Sequence, residues 1–207
     1  MKWTLPNILT VLRLLAAPGV VVMFLYFQRP WADWFALTLF VLAAITDFFD
    51  GYLARLWKQE SKFGAMLDPV ADKAMVVIAI MVITGYSGMN PWLILPATVI
   101  LFREVFVSGL REFLGAKAGL LTVTKLAKWK TTAQMVAIAV LFLGTGLAYL
   151  EDGRPPRAGE GELRTILSPA TMATYAGMAL IWIAALLTAV TGWDYFHKAL
   201  PHLKDDT

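Results

Sequence analysis

The chain has 207 residues, 18 Lys and Arg against 15 Asp and Glu, no Cys, and a mean hydropathy of +0.64. Hydrophobic residues make up 58% and charged residues 16%, whereas a soluble domain is roughly 45–50% apolar and about a quarter charged. This excludes a disordered chain, a disulfide scaffold, thiolate chemistry and a soluble nucleic-acid binder, and it leaves an all-α polytopic membrane protein embedded in a lipid bilayer.

The charge-free runs are Leu14–Gln28, Trp34–Thr46, Ala74–Phe102, Thr131–Leu150 and Thr165–Trp193. About 20 residues are needed to cross the hydrocarbon core. The first two runs reach that length only if Arg13, or Asp47 and Asp50, lie within or at the end of a helix. The third is split by the turn-forming cluster Gly85–Pro91 (GYSGMNP). Six transmembrane helices follow, at about 7–28, 33–56, 63–85, 91–113, 128–150 and 169–193. Lys2 ahead of an apolar stretch superficially suggests a signal peptide, but Arg13 interrupts that stretch and no small-x-small cleavage site precedes a polar region. The Gly- and Pro-rich segment EDGRPPRAGEGE, within a polar connector at about 151–168, reads as an outer-side link inside a single domain spanning 1–207. No internal repeat is evident.

Six spans place both termini on one side. Lys2, Arg13, Arg55, Lys58, Lys62, Lys73, Arg103, Arg111, Lys117, Lys125, Lys128, Lys130, Lys198 and Lys204 then share that side, and only Arg29, Arg154, Arg157 and Arg164 fall on the other. By the positive-inside rule both termini are expected to be cytoplasmic. Trp31, Trp34, Trp92 and Trp193 lie near the ends of spans, as an interfacial aromatic belt would have them, although lipid-facing filler explains any single one equally well.

The chemistry concentrates in DFFDGYLARLWKQESKFGAMLDPVAD, residues 47–72. Asp47 and Asp50 are three apart and Asp68 and Asp72 four apart, so on consecutive helices each pair occupies one face. In a hairpin turning through 56–62 the four carboxylates converge beside Gly51, Ala54 and Gly64, a strip that leaves room for a flat ligand. Crowded carboxylates at a membrane interface repel one another and are desolvated unless cations bind. Oxygen-only ligation favours two Mg²⁺ or Mn²⁺ ions over Zn²⁺, and paired metals suit an in-line phosphoryl displacement. Taken alone, Asp68 before Pro69 reads equally well as a helix N-cap with proline in the first turn. Four such residues together do not, because ionisable groups inside a membrane are costly and functional by default.

The pattern D-x2-D-G-x2-A-R-x8-G-x3-D-x3-D, here Asp47, Asp50, Gly51, Ala54, Arg55, Gly64, Asp68 and Asp72, resembles the signature of the CDP-alcohol phosphatidyltransferases at every fixed position. Eight fixed residues match a given start by chance on the order of 10⁻¹⁰ of the time. The resemblance implies a six-helix membrane enzyme, often a homodimer, with a dinuclear metal site on the cytoplasmic side of, for a bacterium, the inner membrane. It further implies that Asp47, Asp50, Asp68 and Asp72 hold the metals, and that Asp72 is the catalytic base. Gly51, Ala54, Arg55, Gly64 and Thr10 are implied to bind the CDP-lipid, CDP-diacylglycerol.

Beyond the signature, LPNILTVLR (5–13), REVFVSGLRE (103–112), KWKTTAQ (128–134) and GWDYF (192–196) resemble the branch of the family whose acceptor is sn-glycerol 3-phosphate. The placement of charge points the same way. Arg103, Arg111, Lys128 and Lys130 gather where the carboxylate hairpin opens, and an acceptor carrying its own phosphate needs a cationic pocket that serine or inositol does not. The positive-inside excess accounts for Lys117 and Lys125. Inositol phosphate, serine or phosphatidylglycerol as acceptor are the alternatives within the family. A small cation or phosphate transporter is the alternative outside it, disfavoured because Ile78–Thr84, Trp92–Leu101 and Val136–Leu143 leave the outer half apolar.

Overall fold

The structure, a computed structural model, describes residues 4–57, 61–115, 125–152 and 168–202. The connector residues 153–167 and Lys117 lie outside the described residues, as do the side chains of Asp50, Ala54, Arg55, Lys125 and Lys128, whose backbones are described. Six α-helices account for nearly all of it: α1 Leu5–Tyr26, α2 Trp31–Leu56, α3 Lys62–Tyr86, α4 Pro91–Leu114, α5 Lys125–Asp152 and α6 Pro169–Ala199. No strand occurs among the described residues. The protein is a membrane protein: α1, α4, residues 129–151 of α5, and α6 are each long and apolar enough to cross a bilayer. Helices α2 and α3 match them in length, with 26 and 25 residues or about 39 and 38 Å at 1.5 Å per residue, but they carry the acidic residues.

Local sequence sets the helix limits. Ser61 caps α3 by accepting from the Gly64 N–H at 3.0 Å, Asn90 caps α4 by accepting from the Trp92 N–H at 3.0 Å, and Ser168 caps α6 by accepting from the Thr171 N–H at 3.2 Å. Pro91 and Pro169 follow the last two caps, where a missing N–H costs nothing. The α3–α4 turn runs through Gly88 and Met89, both at φ 62°, within the expected break. Two expectations shift. Helix α6 continues past 193 to Ala199, where Lys198 bonds Asp194 across one turn at 2.7 Å and keeps the polar end helical. Asp68 is no N-cap: α3 begins at Lys62 and runs through Pro69.

Packing alternates up and down. The residues α1 buries are Pro6, Asn7, Thr10, Arg13, Ala17, Val20 and Phe24, one stripe that is polar in its first half and apolar in its second. The apolar half joins Phe40, Met75, Ile80, Ile138, Phe142 and Ile181 in the core. The most extensive helix contact is α5 with α6. There a Cβ on Gly177 would stand 2.7 Å from Leu141 Cγ, so glycine sets the spacing of the pair. At the end opposite Arg13, Arg29 grips the fully buried Asp33 at 2.6 and 2.8 Å, donates to the Thr145 carbonyl at 3.0 Å, and lies over the rings of Tyr86 and Tyr149. The bond to Asp33 holds the Arg29 guanidinium above its ordinary range.

Candidate active site

The polar half of the α1 stripe faces α2 and α3. Arg13 is almost fully buried, and its Nη1 donates to both Asp47 on α2 and Asp72 on α3, while Nη2 stands 3.9 Å from Asp68. One turn earlier, the Thr10 hydroxyl donates to Asp68 Oδ1 at 2.7 Å. Two turns before Arg13, Asn7 accepts from the Ser61 hydroxyl at 2.7 Å, which ties the start of α1 to the start of α3. Gly64 makes this possible, since a Cβ there would lie 2.7 Å from Asn7 Oδ1. Three of the four expected carboxylates are therefore brought together, on a single guanidinium.

This arrangement is asymmetric in exposure. The Arg13 side chain is sealed, whereas those of Asp47, Asp68 and Asp72 are 39%, 44% and 46% exposed. Each carboxylate spends part of its oxygen on the protein and turns the rest outward. The donor set is purely oxygen, with no Cys in the chain, and its open side suits hard divalent cations in chemistry. Among the described residues, no group of three His, Cys, Asp or Glu stands ready to hold a metal, and the Asp50 carboxylate lies outside them. Of the expected nucleotide strip, Gly51 and Ala54 lie on α2 and continue the helix of Asp47, and Gly64 is filled on its Cβ side by Asn7.

A cavity of about 380 Å³ opens beside the acidic cluster. Asp68 and Asp72 form its α3 wall, Arg103 and Arg111 its α4 wall, Lys130 and Gln134 its α5 wall, and Thr191, Asp194 and Tyr195 its α6 wall. Arg103 and Arg111 share the lining, as residues two turns apart on one helix should. The fit of α6 here also depends on a glycine, because a Cβ on Gly192 would meet Arg103 Cγ at 2.8 Å. Arg111 lies over the Tyr195 ring, 6.0 Å from its centroid. Lys130 is buried and donates to Glu104, which also pairs with Arg103 at 3.3 Å.

Lys73, Glu104, Gln134, Thr191, Asp194 and Tyr195 share this lining and are not among the site residues that the motifs mark. Glu104, Gln134, Asp194 and Tyr195 do fall inside REVFVSGLRE, KWKTTAQ and GWDYF. Those strings marked the segments, and only the packing of four helices marks the side chains.

Comparison with known proteins agrees with the motif. A family model described as CDP-alcohol phosphatidyltransferase matches residues 3–193. A curated relative from Cereibacter sphaeroides, a CDP-diacylglycerol--glycerol-3-phosphate 3-phosphatidyltransferase, is 74% identical over 220 aligned residues covering 100% of both chains. Relatives of the same name from Salmonella choleraesuis and Rickettsia bellii are 37% and 40% identical. The first alignment covers 99% of this chain and 100% of the relative, and the second covers 93% of each.

Proposed function

The chain belongs to the CDP-alcohol phosphatidyltransferases, and we propose that it transfers the phosphatidyl group of CDP-diacylglycerol to sn-glycerol 3-phosphate, giving phosphatidylglycerophosphate and CMP. The observation that carries this reading is one cavity with Asp68 and Asp72 on one wall and Arg103, Arg111 and Lys130 on the others. A dianionic acceptor needs such cations beside a cluster of carboxylates that would otherwise repel it.

Two divalent cations, Mg²⁺ or Mn²⁺, held by Asp47, Asp50, Asp68 and Asp72, would supply positive charge to the diphosphate. Thr10 fixes the orientation of Asp68 by its hydrogen bond. Arg13 offsets the mutual repulsion of Asp47 and Asp72. As small residues in the motif, Gly51 and Ala54 would admit cytidine, and Arg55, next in sequence, would meet the nucleotide's charge, while Gly64 draws α1 against the site. Arg103, Arg111, Lys128 and Lys130 bind the acceptor phosphate, in which guanidinium forks match the oxygen geometry. The Asp72 carboxylate takes the proton of the primary hydroxyl as its oxygen attacks the phosphorus bearing diacylglycerol. The bond from that phosphorus to CMP breaks, and the leaving phosphate carries the electron pair. An open apolar groove of about 430 Å³ between α2 and α5, lined by Ile45, Phe49 and Val136, gives acyl chains a path from lipid to the acidic end.

In this reading all 207 residues form one domain of six spans in a bacterial inner membrane, with cytoplasmic termini and active site, working as a homodimer. Transport is the weaker reading, because buried Ala17, Val20, Phe40, Ile80, Ile138 and Phe142 make the middle of the bundle apolar. The test is the purified chain with CDP-diacylglycerol, labelled glycerol 3-phosphate and Mg²⁺. We expect CMP and labelled lipid in equal amounts, abolished by EDTA and restored by Mg²⁺ or Mn²⁺. A better yield with serine, inositol or inositol phosphate would overturn the acceptor, and no CMP with any alcohol would overturn the transferase.

A further inference from the structure

Among the described residues lining the cavity, Glu104 is the one carboxylate that belongs to neither the acidic cluster nor an (i, i+4) pair, and it is bonded to two of the cations assigned to the acceptor. It stands on α4, and its Oε1 accepts from Lys130 Nζ on α5 and from Arg103 Nη1 at 3.3 Å. Its side chain is 14% exposed, and those of Lys130 and Arg103 are 7% and 16% exposed. A surface ion pair contributes little, but here three charges are held away from water, where a long cation with no partner would swing toward solvent or toward Asp72. Lys and Arg each carry large rotamer freedom, so fixing both before a ligand arrives removes an ordering cost from binding. Lys130 has three N–H donors and Arg103 four on its two terminal nitrogens, its Nε being buried; Glu104 takes one from each, which leaves the other ammonium and terminal guanidinium donors for a phosphate.

We propose that Glu104 is a positioning residue for the acceptor: its carboxylate joins Lys130 and Arg103 into one preorganised cationic wall, and the acceptor's phosphate binds the donors that Glu104 leaves free. This rests on the reading of glycerol 3-phosphate as acceptor. Glu104 itself touches no reacting atom.

The experiment uses the full chain in detergent micelles, with initial rates of CMP release against each substrate and a melting curve for every variant. The wild type comes first: without CMP release on glycerol 3-phosphate, the acceptor reading fails before Glu104 is at issue. With it, Glu104→Gln, which keeps shape and loses charge, should raise KM for glycerol 3-phosphate roughly 10-fold or more. Its kcat and its KM for CDP-diacylglycerol should stay within about twofold. Glu104→Asp, one methylene shorter, should fall between. Lys130→Met in the Glu104→Gln background should cost less than in the wild type, because the two act as a unit. A purely structural role would instead lower the melting temperature and change both KM values together, and that outcome overturns the proposal. So does an acceptor KM in Glu104→Gln that is unchanged or lower, the latter meaning that the carboxylate competes with the phosphate. If Glu104→Gln does not fold, Glu104→Asp decides, and a wild-type acceptor KM there overturns it.

Discussion

Arg13 shows how one residue can be structural and chemical together. A buried guanidinium shared by Asp47 and Asp72 costs desolvation, which the two carboxylates offset while their own side chains stay 39% and 46% exposed. The three carboxylates thus have different neighbours: Asp47 and Asp72 share Arg13, and Asp68 is held by Thr10. Different neighbours make the Asn series informative. Asp47→Asn and Asp68→Asn should abolish CMP release and weaken its dependence on Mg²⁺ concentration. Asp72→Asn should lose kcat by at least about 100-fold, a typical worth of a general base, while CDP-diacylglycerol still binds in a direct binding assay. Wild-type rates in any of the three would remove that residue from the site. The motif placed these carboxylates on one face of each helix, and the structure brings Asp47, Asp68 and Asp72 together as that implied. A cation within the first span is expected to face these carboxylates or to pair with one of them, but the sequence does not say which, and the structure gives Asp47 and Asp72. Glu104 was invisible for a different reason: beside Arg103 in sequence it reads as an ordinary charge pair, and its bond to Lys130 spans 26 residues and two helices.

At the scale of elements, the site depends on how closely α1 lies on α3. Charge-free runs and the turn at Gly85–Pro91 place the six helices within a few residues, since proline, glycine and Ser or Asn caps act locally. The end of α6 was less legible, because hydropathy falls at Asp194 while the helix persists to Ala199. Nor does any local pattern separate a glycine that leaves room for a ligand from one that admits a neighbouring helix. Gly64 admits Asn7. Gly64→Ala should displace the end of the Asn7 side chain and cost about 1 kcal/mol, the worth of its hydrogen bond to Ser61. Gly64→Leu should push α1 off α3, part Thr10 from Asp68, and abolish activity with a melting temperature lowered by several degrees. Melting curves and CMP release on the two variants check the order, and a fully active Gly64→Leu would show that α1 need not lie so close.

Over the whole molecule, charge is sorted to the two ends. Arg13, the acidic cluster, Arg103 and Lys130 occupy one end, Arg29 and Asp33 the other, and an apolar core separates them. The start of α1 and the end of α6 lie together at the cluster end, because Asp72 bonds Arg13 and also lines the cavity with Asp194. If α2 and α3 both span, Lys62 is at this end and the Met89 turn at the opposite one. If only α1, α4, α5 and α6 span, a pattern by which α2 and α3 would stay on the far side, then Lys62 and Met89 face the same compartment. The absence of Cys makes this directly measurable, since each introduced thiol is the sole target of a membrane-impermeant maleimide. Both positions are exposed. In intact bacterial spheroplasts Met89→Cys should label, whereas Lys62→Cys and Leu200→Cys should label only after the membrane is opened. Labelling of Lys62→Cys from outside together with Met89→Cys would reduce the spans to four. Labelling of Lys62→Cys and Leu200→Cys without Met89→Cys would keep six spans and reverse the orientation, placing the acidic cluster away from the compartment in which the positive-inside rule sets it.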